Sequence, residues 1–192
     1  MINRSLAHRG RWLVAFAVAL TVAALLTPVA SAQGPASGTL ATSVPAGTPG
    51  GLVVGAGMTT LGDGFPAEFR GDRIRVALTA RALPDQTARG TFAITHREPN
   101  GTLFADLRGQ VTCLSVVGDH AVVTGVITTA TTPGLPNGEV KEGMVAAIVV
   151  RDGGTSDRMA WTFGNPAQVP NCAELPAVAV APVEQGNFVV DD

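Results

Sequence analysis

The residues of this 192-residue chain that could move a proton or attack a carbonyl are few and scattered. Beyond position 50 there are two histidines, His96 and His120, and two serines, Ser115 and Ser156. Hydrolysis would need one of the histidines beside a serine or a carboxylate, because the imidazole must take the proton of the attacking oxygen. Neither serine lies in a G-x-S-x-G or S-x-x-K setting. His96 follows Phe92 and Ile94 at a spacing of two, which turns it inward near a strand end as a hydrogen-bonded structural residue. His120 follows Asp119 in a turn and reads as a surface group, and neither histidine has the spacing of a zinc site. In the run Asp152-Gly153-Gly154-Thr155-Ser156-Asp157 two carboxylates flank a glycine turn. The further oxygens a calcium loop requires are missing, so the run reads as a hairpin whose aspartates cap backbone amides. Gly55-Ala56-Gly57 lacks the third glycine and the following helix of a dinucleotide loop. No catalytic, cofactor-binding or metal-ligating residue is assigned, and no cofactor is expected.

Before any element can position a side chain, the chain must reach its compartment. Arg4, Arg9 and Arg11 precede Trp12 to Leu26, an apolar run followed by Pro28 and the small-residue triplet Ala30-Ser31-Ala32. Positive charge, a short apolar helix and a small-residue groove segment are the order of a secretory signal peptide, with Ala30 and Ala32 marking the cleavage site. The apolar run has 15 residues, whereas crossing the hydrocarbon core would take about 20. No membrane span is expected once the signal is removed. No cysteine stands near the site for a lipid anchor, and Arg9 and Arg11 are not adjacent, so the twin-arginine pair is missing. Residues 33–50 carry no charge and recurrent Gly and Pro, so they read as a flexible leader to a folded domain over 51–192.

In an oxidising compartment an even number of cysteines reads as a disulfide. Cys113 falls on a strand and Cys172 in the Pro-rich stretch 164–182. Their bond would pin a long irregular loop against the sheet, and no C-x-x-C spacing suggests redox chemistry.

The body alternates at period two. Ile74, Val76, Leu78 and Ala80 interleave with Arg75, Ala77, Thr79 and Arg81, and Phe92 and Ile94 interleave with Thr91, Ala93 and Thr95. Turn signals at Pro99-Asn100-Gly101, Gly118-Asp119 and Asp152-Gly153-Gly154 separate such runs, and Gly109 reads as a bulge. About eight strands at this spacing make an all-β antiparallel meander, closing into a small barrel or folding as a two-sheet sandwich. No stretch after the signal has a convincing amphipathic helix.

Charged residues are 15% and the net charge is −2, so the composition offers no electrostatic footprint for nucleic acid and excludes a polybasic binder. The Ala, Gly and Val bias and the excess of Arg over Lys fit a GC-rich bacterial genome.

The run Val111 to Ala121 (VTCLSVVGDHA), the hairpin Val149 to Gly154 (VVRDGG), Asp157, Cys172 and the closing GNFVVDD resemble a family of small, functionally uncharacterised secreted bacterial proteins. In that family a V-x-C strand precedes a G-[ND]-x-A turn, and a second Cys precedes a terminal G-N-[FI]-x-V strand. The resemblance spans roughly residues 73–191 and implies a secreted β domain with one disulfide. It transfers no catalytic residue. The leading expectation is an exported non-catalytic module acting by surface contact in the envelope or medium, its partner an unknown protein. A carrier of a small apolar ligand, lined inside the barrel by residues such as Phe92, Ile94 and Met144, is the alternative, and a hydrolase using His96 or His120 the third.

Overall fold

The structure, a computed structural model, describes residues 51–192 apart from 86, 136–138, 170 and 175–179. The proposed signal peptide with Ala30 and Ala32, and the leader 33–50, lie outside the described residues. The domain is all-β. Its strands are β1 (Leu52–Thr60), β2 (Arg73–Ala82), β3 (Ala88–Arg97), β4 (Leu103–Val117), β5 (His120–Thr131), β6 (Val145–Arg151), β7 (Arg158–Gly164), β8 (Ala181–Pro182) and β9 (Gln185–Asp191). Among the described residues the only helical turn is a 3-10 turn at Ala67–Phe69, and no helix is long and apolar enough to cross a membrane.

All nine strands belong to one antiparallel sheet in the order β8-β7-β6-β5-β4-β3-β2-β1-β9. A single curled sheet answers the choice left open between barrel and sandwich. The two ends of that order are consecutive in the chain. Met159 pairs with Ala181 on β8, while Met58 pairs with Gln185 on β9. Between them the Val183 N–H donates to the Asp157 carbonyl (2.9 Å) and the Glu184 N–H to the Met58 carbonyl (2.8 Å). One segment, Ala181–Asp191, therefore meets β7 with its first residues and β1 with its last, and so joins the two ends of the meander. β8 and β9 do not pair with each other, so the sheet is a curled half-barrel whose β9 edge is left open to other acceptors.

The alternation seen in the sequence becomes the inside and outside of the curl. Ile74, Val76, Leu78 and Ala80 are buried, as are Phe92, Ile94 and Leu107, and they join Phe188, Ile127, Ile148 and Met159 in one core. Phe65 reaches this core from the β1–β2 loop and stacks on Trp161 with ring centroids 6.3 Å apart. Gly109 does sit at a break in register between β4 and β5. A β-carbon there would overlap the Phe92 ring, so glycine is required where the aromatic lies flat on the backbone.

On the outer face a second, smaller cluster forms. Cys113 and Cys172 are joined as expected, and Cys172 packs with Val122, Val149 and Ala160. The pinned loop thus covers part of the outer surface of β4 to β7. β6 is accordingly buried on both faces, Ala147 and Val149 on the outer one and Ile148 and Val150 on the inner.

Candidate functional site

The residues singled out for chemistry fall in three separate places. His96 points inward at the end of β3, where its Nε2 lies 2.6 Å from Oδ2 of Asp72, the residue that leads into β2. Both side chains are largely hidden, and the imidazole is bracketed by Phe69 and Phe104, with centroids 5.7 and 4.3 Å away. A buried carboxylate needs such a partner, and aromatic walls keep water from both. His120 begins β5 on the opposite side of a hairpin. Its Nδ1 lies 2.6 Å from Oδ1 of Asp119, whose Oδ2 accepts a 2.8 Å bond from Nε of Arg151. The Arg151 bond above all holds the Asp119 carboxyl below the usual carboxylate range; desolvation opposes it, and His120 adds a lesser lowering. Ser115 lies within β4 and Ser156 in the β6–β7 turn. Among the described residues neither serine hydrogen-bonds a histidine, and no three of His, Cys, Asp and Glu converge.

The aspartates of the β6–β7 turn act on backbone amides, as the hairpin reading expects. Asp157 Oδ1 accepts from the Gly153 N–H (3.0 Å) and Asp152 Oδ1 from the Gly154 N–H (3.0 Å). Their other oxygens do something the sequence does not disclose. Asp157 Oδ2 accepts from Phe188 N–H at 2.6 Å and Asp152 Oδ2 from Val190 N–H at 3.2 Å. Both amides sit on the β9 edge turned away from β1. Side-chain oxygens thus stand in for the carbonyls of an absent neighbouring strand.

The feature that sequence reasoning missed lies on the outer face of β1 to β5, beside the region that the disulfide loop covers. A hollow of about 580 Å³ opens there, lined among others by Val54, Ala77, Thr79, Thr91, Ala93 and Arg108. Its rows follow from register: Ala77 stands opposite Ala93, which stands opposite Arg108, and Thr79 stands opposite Thr91, which stands opposite Gln110. Short side chains in adjacent rows leave the middle of the face low. Val54 and its cross-strand partner Val189 form an exposed apolar margin. The bulge at Gly109 adds to the shape, because it leaves Thr128 and Thr129 both exposed on the β5 side.

Charge is distributed unevenly over this face. β2, β3 and β4 carry six exposed arginines (Arg73, Arg75, Arg81, Arg89, Arg97 and Arg108) against one acid, Asp106. Asp106 is engaged locally, accepting from Thr95 Oγ1 at 3.2 Å and lying 3.6 Å from Arg108. No match to the chain is found among protein-family models, curated proteins or solved structures.

Proposed function

We propose that this chain is an exported, non-catalytic β module that works by contact through the open outer face of β1 to β4. The observation that carries the reading is the hollow of about 580 Å³ on that face. A sheet face that only meets solvent is well served by long polar side chains, which cover the backbone. Here the central rows are alanine and threonine, and the space they leave is of the size that ligands occupy. Where the same sheet's outer face is buried, it is apolar instead, with Val122 and Val149 under the pinned loop. The two halves of the outer surface are therefore built for different surroundings.

Export is supported by the charged, apolar and small-residue order of residues 4–32 and by the Cys113–Cys172 bond, which persists where the medium is oxidising. A non-catalytic role is supported by His96 and His120, each engaged by its own carboxylate with no serine hydrogen-bonded to it among the described residues. The interior carrier has less support, since Phe92 and Ile94 are packed in the core and neither Ile94 nor Met144 lines the hollow.

The test fills the hollow from outside. Ala93→Trp and Thr91→Trp place an indole on the open face without entering the core. The reading expects both variants to keep the wild-type unfolding temperature and to lose most of their retention on isolated envelopes or medium polymers of the producing cell. Retention equal to wild type in both variants would refute it.

A further inference from the structure

We propose that the ligand of this face is an extended polyanionic polysaccharide bearing carboxylates or sulfates, a step that rests on the contact role given above. The arginines are placed as two groups with the hollow between them. Arg73, Arg75 and Arg97 lie at one end of the β2–β3 ladder, Arg81 and Arg89 at the other, and Arg108 flanks the middle. Arg73 stands directly opposite Arg97, and Arg81 directly opposite Arg89. Like charges in opposing positions destabilise a sheet. Among the described residues Arg73, Arg75 and Arg81 form no ion pair that would offset this, and Arg89 has only the exposed Asp85 carboxyl within electrostatic reach. A local cost with no structural return is the signature of a site kept for a ligand.

Spacing and surface chemistry then narrow the class. From Arg75 to Arg81 is six strand residues, a span of about 20 Å. No single phosphate or carboxylate bridges that distance, whereas a polymer with repeated anions does. Guanidinium groups bind carboxylate and sulfate through paired donors. Between the clusters Thr79, Thr91, Gln110 and Thr128 offer hydroxyl and amide groups that match sugar hydroxyls. Among the described residues Phe92 is the one aromatic along the hollow, and it is packed in the core at 3% exposure, so single-stranded nucleic acid would find no exposed stacking platform. The lining strands are paired on both sides, so an acidic peptide could not add as a further strand.

The experiment titrates the purified secreted protein with polygalacturonate, dextran sulfate, neutral dextran, poly-L-glutamate and oligo-dT by calorimetry. Binding is expected to polygalacturonate or dextran sulfate, whichever anion the spacing suits, weakening steeply with added salt, with weaker binding to the peptide and the oligonucleotide and none to neutral dextran. The pairs R73Q/R75Q and R81Q/R89Q should each weaken binding by about tenfold or more, because each removes two charge-assisted contacts. R151Q, off this face, should leave it unchanged. Failure of both glycans, equal binding of every polyanion, or indifference to both arginine pairs would overturn the assignment. If the glycans fail while Ala93→Trp still abolishes envelope retention, the contact role stands and only its ligand class falls.

Discussion

The Oδ2 of Asp157 accepts the backbone N–H of Phe188 at 2.6 Å, across 31 residues of chain. Asp157 is 5% exposed and Phe188 is fully buried, so this is a side-chain acceptor hidden where β9 meets the β6–β7 turn. The same residue's Oδ1 holds Gly153 and its carbonyl holds Val183. One aspartate therefore fastens the β6–β7 turn, the end of β8 and the free edge of β9.

Replacing it should loosen that junction. Asp157→Ala leaves the Phe188 amide buried without an acceptor, which costs about 2–3 kcal/mol. Denaturant unfolding checks the magnitude. Hydrogen exchange checks the place: the Phe188 and Val190 amides should lose protection while Val76 and Ile94 keep theirs. Uniform loss at all four would mean that Asp157 supports the whole core and not the junction.

The disulfide closes a separation of 59 residues. On the chain-entropy model such a loop restricts the unfolded chain by about 4 kcal/mol. The double variant C113S/C172S should unfold at correspondingly lower denaturant, and Val149 and Val122 should gain exchange because their cover is released. An unfolding midpoint unchanged by the double substitution would contradict the pinning role.

Thr59 is fully buried opposite Ile74, and its Oγ1 has no hydrogen-bond partner among the described residues. A buried unpaired hydroxyl costs free energy that a methyl group does not. Thr59→Val is therefore expected to stabilise the domain by about 1 kcal/mol in thermal or denaturant unfolding. A loss of similar size would place an ordered water on that hydroxyl.

The Asp119 carboxyl is held below the ordinary aspartate range by its bond from Arg151 first, with His120 a lesser cause. A folded-state value under the unfolded one contributes stability above the unfolded value, and that contribution fades as pH falls through the folded one. The carboxyl carbon of Asp119 should thus titrate below ordinary aspartates in NMR, and R151Q should bring it back toward them. Because the group is exposed, the accompanying change in stability is small.

Much of this architecture was legible from alternation alone. The inward set Ile74, Val76, Leu78 and Ala80 needed only period two, the bulge needed only Gly109 interrupting a strand-like run, and the covalent pair needed only an even count of two cysteines. What escaped was set by contacts between distant segments. Nothing local to His96 names Asp72 as its partner, 24 positions earlier. Ala181–Pro182 is too short and too proline-rich to read as a strand, yet it supplies one end of the sheet. The candidate site escaped for another reason. Net charge averages over the chain, and an acidic total of −2 conceals six arginines gathered on three neighbouring strands. Register places them on one face, and register is what composition discards.

Under the proposed function the interior of the curl serves shape and the open face of β1 to β4 serves contact. Amide-resolved NMR of the folded domain, titrated with soluble polymer from the producing cell's envelope, tests it most directly. Shifts are expected to be confined to Val54, Ala77, Thr79, Thr91, Ala93 and Arg108 and their neighbours, with Ile148, Met159 and Phe188 unmoved. Shifts centred on the interior, or on His96 and Asp72, with that face silent, would contradict it.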